Sequence, residues 1–270
     1  MLHAIKESAD WLRPQIPVDT KIGVILGTGL GELVNVITDK KEIPYDAIPH
    51  FPVSTVEGHS GKLIVGKLGG KPILAMQGRF HYYEGYEMKQ VTFPVRVMQL
   101  LGFEYLVVSN AAGGLNEAFE VGDIMLIEDH INLFPEHPLR GKNEAALGVR
   151  FPDMSETYTH KLLQLADATA ARHHIKLQRG VYVGVQGPTF ETPAEYKFFR
   201  IIGGDAVGMS TVPEVIVAHH GGLKVLAFSI ITDLGVTGHI KTVSHSEVQA
   251  AAKIAQPKLS IILEEIIKQI

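Results

Sequence analysis

Cysteine is absent from all 270 residues. That excludes disulfides and thiolate metal sites, and it is compatible with a reducing cytoplasm, the expected location. No uninterrupted apolar run approaches the roughly 20 residues that cross a bilayer, so no membrane association is expected. The stretch 1–14 is mixed polar and apolar without a continuous apolar centre, and no signal peptide is expected. An excess of positive charge is missing as well. Twenty-five Lys plus Arg stand against 29 Asp plus Glu, a formal charge of -4. A nucleic-acid binder relying on a general basic field is therefore not expected, although a local cationic pocket remains open.

What is present is apolar bulk, at 46% hydrophobic side chains, enough for a large core. Strand-like and helix-like segments alternate along the whole chain. Residues 2–13 fit an amphipathic helix and 21–26 a buried strand running into Gly27-Thr-Gly-Leu-Gly31. Residues 30–37 read as a helix, 62–65 and 72–76 as a hairpin around Gly69-Gly70, and 88–101 as a helix made irregular by Pro94. Strands are expected at 105–109 and 123–127, a long polar loop at 134–151, and a helix at 155–173. A strand at 181–185 and a long one at 224–233 complete the pattern. Three S/T-x-x-E capping boxes, at Thr192, Thr211 and Ser244, each announce a helix start. No linker divides the chain. The expected fold is α/β, a single domain over 1–270 with a mixed, largely buried central sheet flanked by helices.

The segment Lys71-Pro-Ile-Leu-Ala-Met-Gln-Gly-Arg-Phe-His-Tyr-Tyr-Glu-Gly-Tyr86 changes character at Gly78. An apolar strand gives way to Arg79, His81, Tyr82, Tyr83 and Glu84, groups costly to order at the end of a buried strand unless they bind something. Arg79 offers a planar fork of donors suited to an oxyanion, and His81 adds a donor or titrates near neutrality. A polar turn whose arginine pairs with a nearby carboxylate is the competing reading. Gly27-Thr-Gly-Leu-Gly31 invites a dinucleotide site, but position 32 is glutamate and the third glycine of G-x-G-x-x-G is misplaced. Glycine amides and the Thr28 hydroxyl suit a small inorganic anion better. Asn110-Ala-Ala-Gly-Gly-Leu-Asn116 reads as another small-residue turn, and Ser210 and Glu191 directly precede the Thr211 and Thr192 caps. Together these favour an oxyanion site at strand ends.

In combination, Gly27-Thr-Gly-Leu-Gly31, Glu57-Gly-His-Ser-Gly61, Met76-Gln-Gly-Arg-Phe-His-Tyr-Tyr-Glu-Gly-Tyr86, Asn110-Ala-Ala-Gly-Gly114, Gly187-Pro-Thr-Phe-Glu-Thr192 and Gly208-Met-Ser-Thr-Val-Pro-Glu214 resemble the trimeric purine nucleoside phosphorylases. The resemblance runs from about residue 20 to the last helix. It implies reversible phosphorolysis of purine nucleosides by orthophosphate, with no metal or organic cofactor, in a homotrimer. It implies phosphate on Thr28, Arg79, His81, the Ala111 amide and Ser210, with His59 on a loop beside it. Tyr83 and Met209 would hold the pentose and His245 its 5′-hydroxyl. Phe190 and Glu191 would line the base site, and Phe151 would reach in from a neighbouring subunit. His81, Glu191 and Asp233 are the expected catalytic groups.

Asp233 departs from the family's 6-oxopurine members, which place asparagine there. An ionised aspartate only accepts hydrogen bonds. Either burial keeps Asp233 protonated and able to serve N7, or it accepts from a 6-amino group and widens the range towards adenosine. Glu191 suits the N1–H of hypoxanthine and guanine. Three alternatives stand beside this reading: a methylthioadenosine-type phosphorylase, a non-catalytic purine- or phosphate-binding module, and a nicotinamide-dependent oxidoreductase. Imidazole at His245 opposes the first, because a 5′-thioether needs an apolar pocket. Arg79→Ala is expected to abolish phosphorolysis while the fold survives.

Overall fold

The computed structural model describes residues 1–28, 30–53, 61–236 and 238–270. Among these, nine strands join one mixed sheet. They are β1 (Ile22–Leu26), β2 (Thr38–Pro44), β3 (Lys62–Leu68), β4 (Lys71–Gln77), β5 (Tyr105–Gly114), β6 (Ile124–Asn132), β7 (Leu177–Gly184), β8 (Ala206–Gly208) and β9 (Lys224–Leu234). The helices are α1 (Leu2–Leu12), α2 (Met88–Val91), α3 (Phe93–Leu100), α4 (His160–Arg172), α5 (Pro193–Ile201), α6 (Val212–His220) and α7 (His245–Ile267).

Every side chain of β1 is buried, as are eight consecutive residues of β9. Such unbroken apolar runs are what strands covered on both faces require. Helix α3 packs against both α1 and α6, while α4 and α7 pack together and against β9. A single large apolar cluster links these helices to the middle of the sheet. The strand order is β2-β3-β4-β1-β5-β8-β7-β6-β9, and β9 also pairs with β5. The last five strands of that order therefore close into a ring. β5 is the hinge of the arrangement, running parallel to both β1 and β9.

The bounds of several expected elements shift, the expected 155–173 helix beginning only at His160, and three elements differ in character. Residues 30–37 hold a 3-10 helix, Gly31–Val36, because so short a segment has too few turns to offset α-helix nucleation. The segment 88–101 is two helices meeting at Thr92, where Pro94 at the start of α3 has no N–H to continue the ladder. β5 does not stop at Ser109. It runs on through Asn110-Ala-Ala-Gly-Gly114, so the expected small-residue turn is strand. β9 supplies the partner that the local composition does not reveal.

Candidate active site

The site begins with a gap in hydrogen bonding along β5. β1 pairs with it up to Val108, and on the same side β8 takes over only at Gly113. Between those registers the sheet opens, and a cavity of about 310 Å³ lies against Asn110, Ala111, Ala112 and Gly113. Of the residues assigned from sequence, Thr28, Arg79, His81, Tyr83, Ala111, Phe190, Glu191, Met209, Ser210, Asp233 and His245 all line it. Phe151 does not. It lies 86% exposed on the 134–151 loop, beneath the Arg150 guanidinium. His59 falls outside the described residues.

One end of the cavity is cationic and locked. The chain leaves β4 through Gly78 at φ 105°, a left-handed conformation that suits glycine, and the buried Tyr45 hydroxyl donates to the Gly78 carbonyl at 2.7 Å. Arg79 follows, 1% exposed. Its Nε donates to Glu214 Oε1 at 3.0 Å, and its Nη1 donates to the Ser109 carbonyl at 2.8 Å and to Ser210 Oγ at 3.3 Å. Gly27 makes room for this, since a Cβ there would sit 2.6 Å from the Ser109 oxygen and 3.1 Å from Arg79 Nη1. Glu214 is the third residue of α6, and its Oε2 accepts from the Thr211 amide at 2.7 Å. The capping box legible in the sequence thus also aims the guanidinium. Thr211 itself has φ 70° and ψ -54°, and the Val212 amide reaches back to the Ser210 carbonyl at 2.7 Å. This is a γ-turn of the strained hand. It is held by Asn110 Nδ2, which donates to Thr211 Oγ1 at 2.8 Å.

His81 completes this end. It is 6% exposed, stacked on Tyr83 at 4.7 Å, and its amide and Nδ1 both face Glu84 Oε1, at 2.7 and 3.1 Å. Burial, joined by the Arg79 charge, holds its pKa below the usual imidazole value despite the Glu84 hydrogen bond. With its proton on Nδ1 facing the carboxylate, the neutral ring presents Nε2 as an acceptor.

The opposite end is acidic and looser. Glu191 and Phe190 stand on the segment leading into α5, with Phe190 42% exposed at the mouth. Burial is the main cause that pushes the Glu191 carboxyl up to about 7, with the nearby Asp233 charge adding to it. Asp233, near the end of β9, is also raised by burial, partly offset by hydroxyl donors. Thr232 Oγ1 lies 3.1 Å from Asp233 Oδ1, and the Tyr196 hydroxyl lies 3.4 Å from Oδ2. At the outer edge His245 opens α7, its Nε2 3.0 Å from Gln249 Nε2. An amide nitrogen donates only, so His245 Nε2 accepts and Nδ1 keeps the ring proton.

Sequence reasoning missed Glu214, Glu84 and Tyr196 as parts of the site. Glu214 was visible as the residue three after the Thr211 cap and Glu84 as one of the polar groups following Gly78, but nothing in the pattern tied them to Arg79 or to the His81 ring. Tyr196 carried no local signal. It is one turn into α5, and its ring fits because Gly235 has no Cβ, which would lie 2.3 Å from Tyr196 Cδ1.

Residues 21–268 match the family described as the phosphorylase superfamily. The chain is 54% identical over 245 residues to purine nucleoside phosphorylase 1 of Geobacillus stearothermophilus, covering 91% of this chain and 89% of that one. It is 49% identical to purine nucleoside phosphorylase 1 of Bacillus subtilis, covering 100% and 99%. Among solved structures it resembles purine nucleoside phosphorylase of Schistosoma mansoni, crystallised with adenosine. There the TM-score is 0.94 at 41% identity, over 99% of this chain and 97% of that one.

Proposed function

The chain belongs to the phosphorylase superfamily, and from that premise we propose that residues 1–270 act as one domain catalysing reversible phosphorolysis of purine (deoxy)ribonucleosides. The products are the free purine base and (deoxy)ribose 1-phosphate. Orthophosphate is the co-substrate, inosine and guanosine are the principal nucleosides, and no metal or organic cofactor takes part. One observation carries this reading: a single cavity holds a buried guanidinium with hydroxyl and amide donors at one end and two burial-shifted carboxyls at the other.

Orthophosphate binds at the Arg79 end, on the Thr28 and Ser210 hydroxyls, the Ala111 amide and the guanidinium, while neutral His81 Nε2 accepts from a protonated phosphate oxygen. His59 belongs to the same group. Tyr83 and Met209 flank the pentose between the two ends, and His245 donates from Nδ1 to the 5′-hydroxyl. The purine lies along Phe190, with its hydrogen-bonding edge towards Glu191 and Asp233. In the reaction the N9–C1′ bond breaks, its electron pair passes to the base, and a phosphate oxygen bonds to C1′. Positive charge builds on the sugar as the bond stretches. A phosphate held by donors that neither protonate nor displace it stabilises that charge and is aligned to attack. The departing base gains a proton or hydrogen bond from the carboxyl end.

Phe151 enters the proposal from a neighbouring subunit of a homotrimer working in the cytoplasm. Its exposure on a long loop fits a residue that meets a partner rather than its own core. The decisive experiment measures base release from inosine, guanosine, adenosine and methylthioadenosine, with and without orthophosphate. Phosphate-dependent release from inosine and guanosine, with ribose 1-phosphate formed, is expected. Release from methylthioadenosine alone, or binding without turnover, would overturn the reading.

A further inference from the structure

Three consecutive carbonyls of the 134–151 loop, those of Leu147, Gly148 and Val149, are each held by a side chain. Arg96 Nη1 and Gln99 Nε2, both on α3, donate to the Leu147 oxygen at 3.1 and 3.0 Å. Asn143 Nδ2 donates to the Gly148 oxygen at 3.1 Å. His220 ends α6, with its Nε2 2.7 Å from the Val149 oxygen and its Nδ1 2.8 Å from Arg96 Nη2. A guanidinium only donates, so His220 Nδ1 accepts and its Nε2–H donates to Val149. Burial holds the His220 pKa below the usual imidazole value, against the Val149 hydrogen bond and in step with the Arg96 charge, which suits that neutral tautomer. One residue earlier, His219 Nε2 lies 2.7 Å from the Asp153 oxygen. The end of α6 thus grips the chain two residues before Phe151 and two residues after it.

Solvation does not require this grip. Water satisfies the carbonyls of a surface loop, and ordering the loop costs conformational entropy. The groups spent on it come from the interior, Arg96 being 5% exposed, yet the side chains they fix point outward, Val149 at 66% and Phe151 at 86%. Arg150 adds to the order. Its guanidinium lies over the Phe151 ring while Nη1 reaches back to the Leu139 carbonyl at 3.3 Å. A buried network that orders an exposed apolar tip is a preorganised contact. Its occupant follows from the two surfaces involved. Phe151 does not line the cavity of its own chain, and Phe190 stands half-exposed at the mouth. Tip and mouth are different surfaces, so copies that join them meet head to tail, and a closed ring completes every site.

We propose that Arg96, His219 and His220 are positioning residues, which present Phe151 in one conformation to the nucleoside end of the cavity in a second copy of this chain. Helix α6 then serves two sites. Its first turn aims Arg79 in its own cavity through Glu214, and its last sets the residue that enters the neighbour's. The fit at the grip is tight, since Gly148 has φ 140° and a Cβ there would lie 2.4 Å from the His220 carbonyl oxygen.

The inference rests on the proposed phosphorolysis and on Phe151 meeting a neighbour, and the test separates these. The kcat and the KM values for inosine and orthophosphate are measured for wild type, His220→Leu, His220→Gln and Gly148→Ala. Thermal melting is the folding control and sedimentation gives the oligomeric state. Leucine removes both hydrogen bonds, whereas glutamine keeps a donor and an acceptor. Gly148→Ala displaces the same segment and leaves the buried side chains in place. In His220→Leu and Gly148→Ala, kcat/KM for inosine is expected to fall about tenfold or more, chiefly through KM, with the orthophosphate KM unchanged. His220→Gln should stay near wild type. Mixed oligomers supply a readout that a role confined to one chain would not move. His220→Leu chains are co-expressed with an excess of chains carrying Arg79→Met and Glu214→Gln, whose own cavities are inactive and whose loops are intact. The inosine KM should return to the wild-type value, and should not do so when the excess chain also carries Phe151→Ala. An inosine KM unchanged in both His220→Leu and Gly148→Ala, equal rises in the two KM values, or no recovery in mixed oligomers would overturn the positioning role. A wild-type protein that is monomeric and active would overturn it too, while leaving phosphorolysis standing. Absence of phosphate-dependent base release from wild type would instead overturn the phosphorolysis itself.

Discussion

The two ends of the cavity are built by different means. At the Arg79 end the ion pair is fixed by the interior: the guanidinium and Glu214 are almost wholly buried, and Glu214 is locked into the first turn of α6. At the carboxyl end Phe190 is largely exposed, Glu191 sits on the segment between β7 and α5, and both acids titrate away from their ordinary ranges. On the proposed reading the common substrate, orthophosphate, meets the rigid end, and the variable one, the base, meets the looser end. A site divided in this way can change its base preference without disturbing the group that attacks C1′.

The largest effect is expected for Arg79→Ala. Losing a donor aimed at developing charge costs about 2.7–4 kcal/mol of barrier, and the guanidinium supplies several hydrogen bonds at once. Turnover should fall by about 1,000-fold or more. The expectation from sequence is an intact fold, and the buried partner of Arg79 adds a cost in stability to it. The substitution strands Glu214, 2% exposed, and breaking such a pair costs about 3–5 kcal/mol. A lowered melting temperature should therefore accompany the lost activity. Removing both charges, in Arg79→Met with Glu214→Gln, should recover much of the stability and none of the turnover. Equal melting temperatures for Arg79→Ala and wild type would show that the two ends are not built so differently.

Next comes Glu191→Gln, which probes the other end. Replacing an acceptor that carries charge with an amide removes about 1.5–3 kcal/mol of interaction with N1–H. For inosine kcat/KM should drop roughly 10- to 150-fold, while the KM for orthophosphate stays as in wild type. A parallel rise in phosphate KM would mean that the ends are mechanically coupled. Gly27→Ala is the reciprocal probe and a smaller one. Its Cβ would meet backbone at 2.6 and 2.8 Å, so β1 and β5 must part by a few tenths of an ångström. The overpacking should cost about 1–3 kcal/mol of stability and raise the phosphate KM. The ratio of inosine to adenosine turnover should not move. A changed ratio would count against the division.

The same contrast explains what could be read from the sequence. The α/β alternation, the three capping boxes and the oxyanion group of Thr28, Arg79, His81, Ala111 and Ser210 come from patterns confined to a few consecutive positions, namely apolar runs, glycine turns and S/T-x-x-E, whereas Tyr83, Phe190, Met209, Asp233 and His245 were placed by the family resemblance. What escaped depended on pairings distant in the chain. The continuation of β5 past Ser109 depends on β9, more than a hundred residues later. Glu214 could be seen as a cap, but its grip on Arg79 spans a sequence separation of 135. Tyr196 carried no local signal, because its role arises only where Gly235 and Asp233 fold back against α5. Phe151, placed by resemblance alone, has no intrachain partner at the cavity to test that placement.

The smallest expected effect concerns stability rather than turnover, and it isolates the carboxyl end in the absence of substrate. Glu191 has a folded-state pKa raised to about 7, against about 4.3 for an unperturbed glutamate. A raised acid binds its proton more tightly when folded. Its stabilising contribution is therefore complete below about pH 4.3 and is lost as pH rises through about 7. Glu191→Gln cannot titrate and does not follow that curve. The difference in melting temperature, variant minus wild type, should grow from about pH 5 to about pH 8 and then level off. With its side chain only partly sheltered, the change should be about 1 kcal/mol, or a few degrees for a chain of this size. A difference that is flat with pH would mean that Glu191 titrates in the folded protein as it does in water, and that burial does not set the acidic end apart.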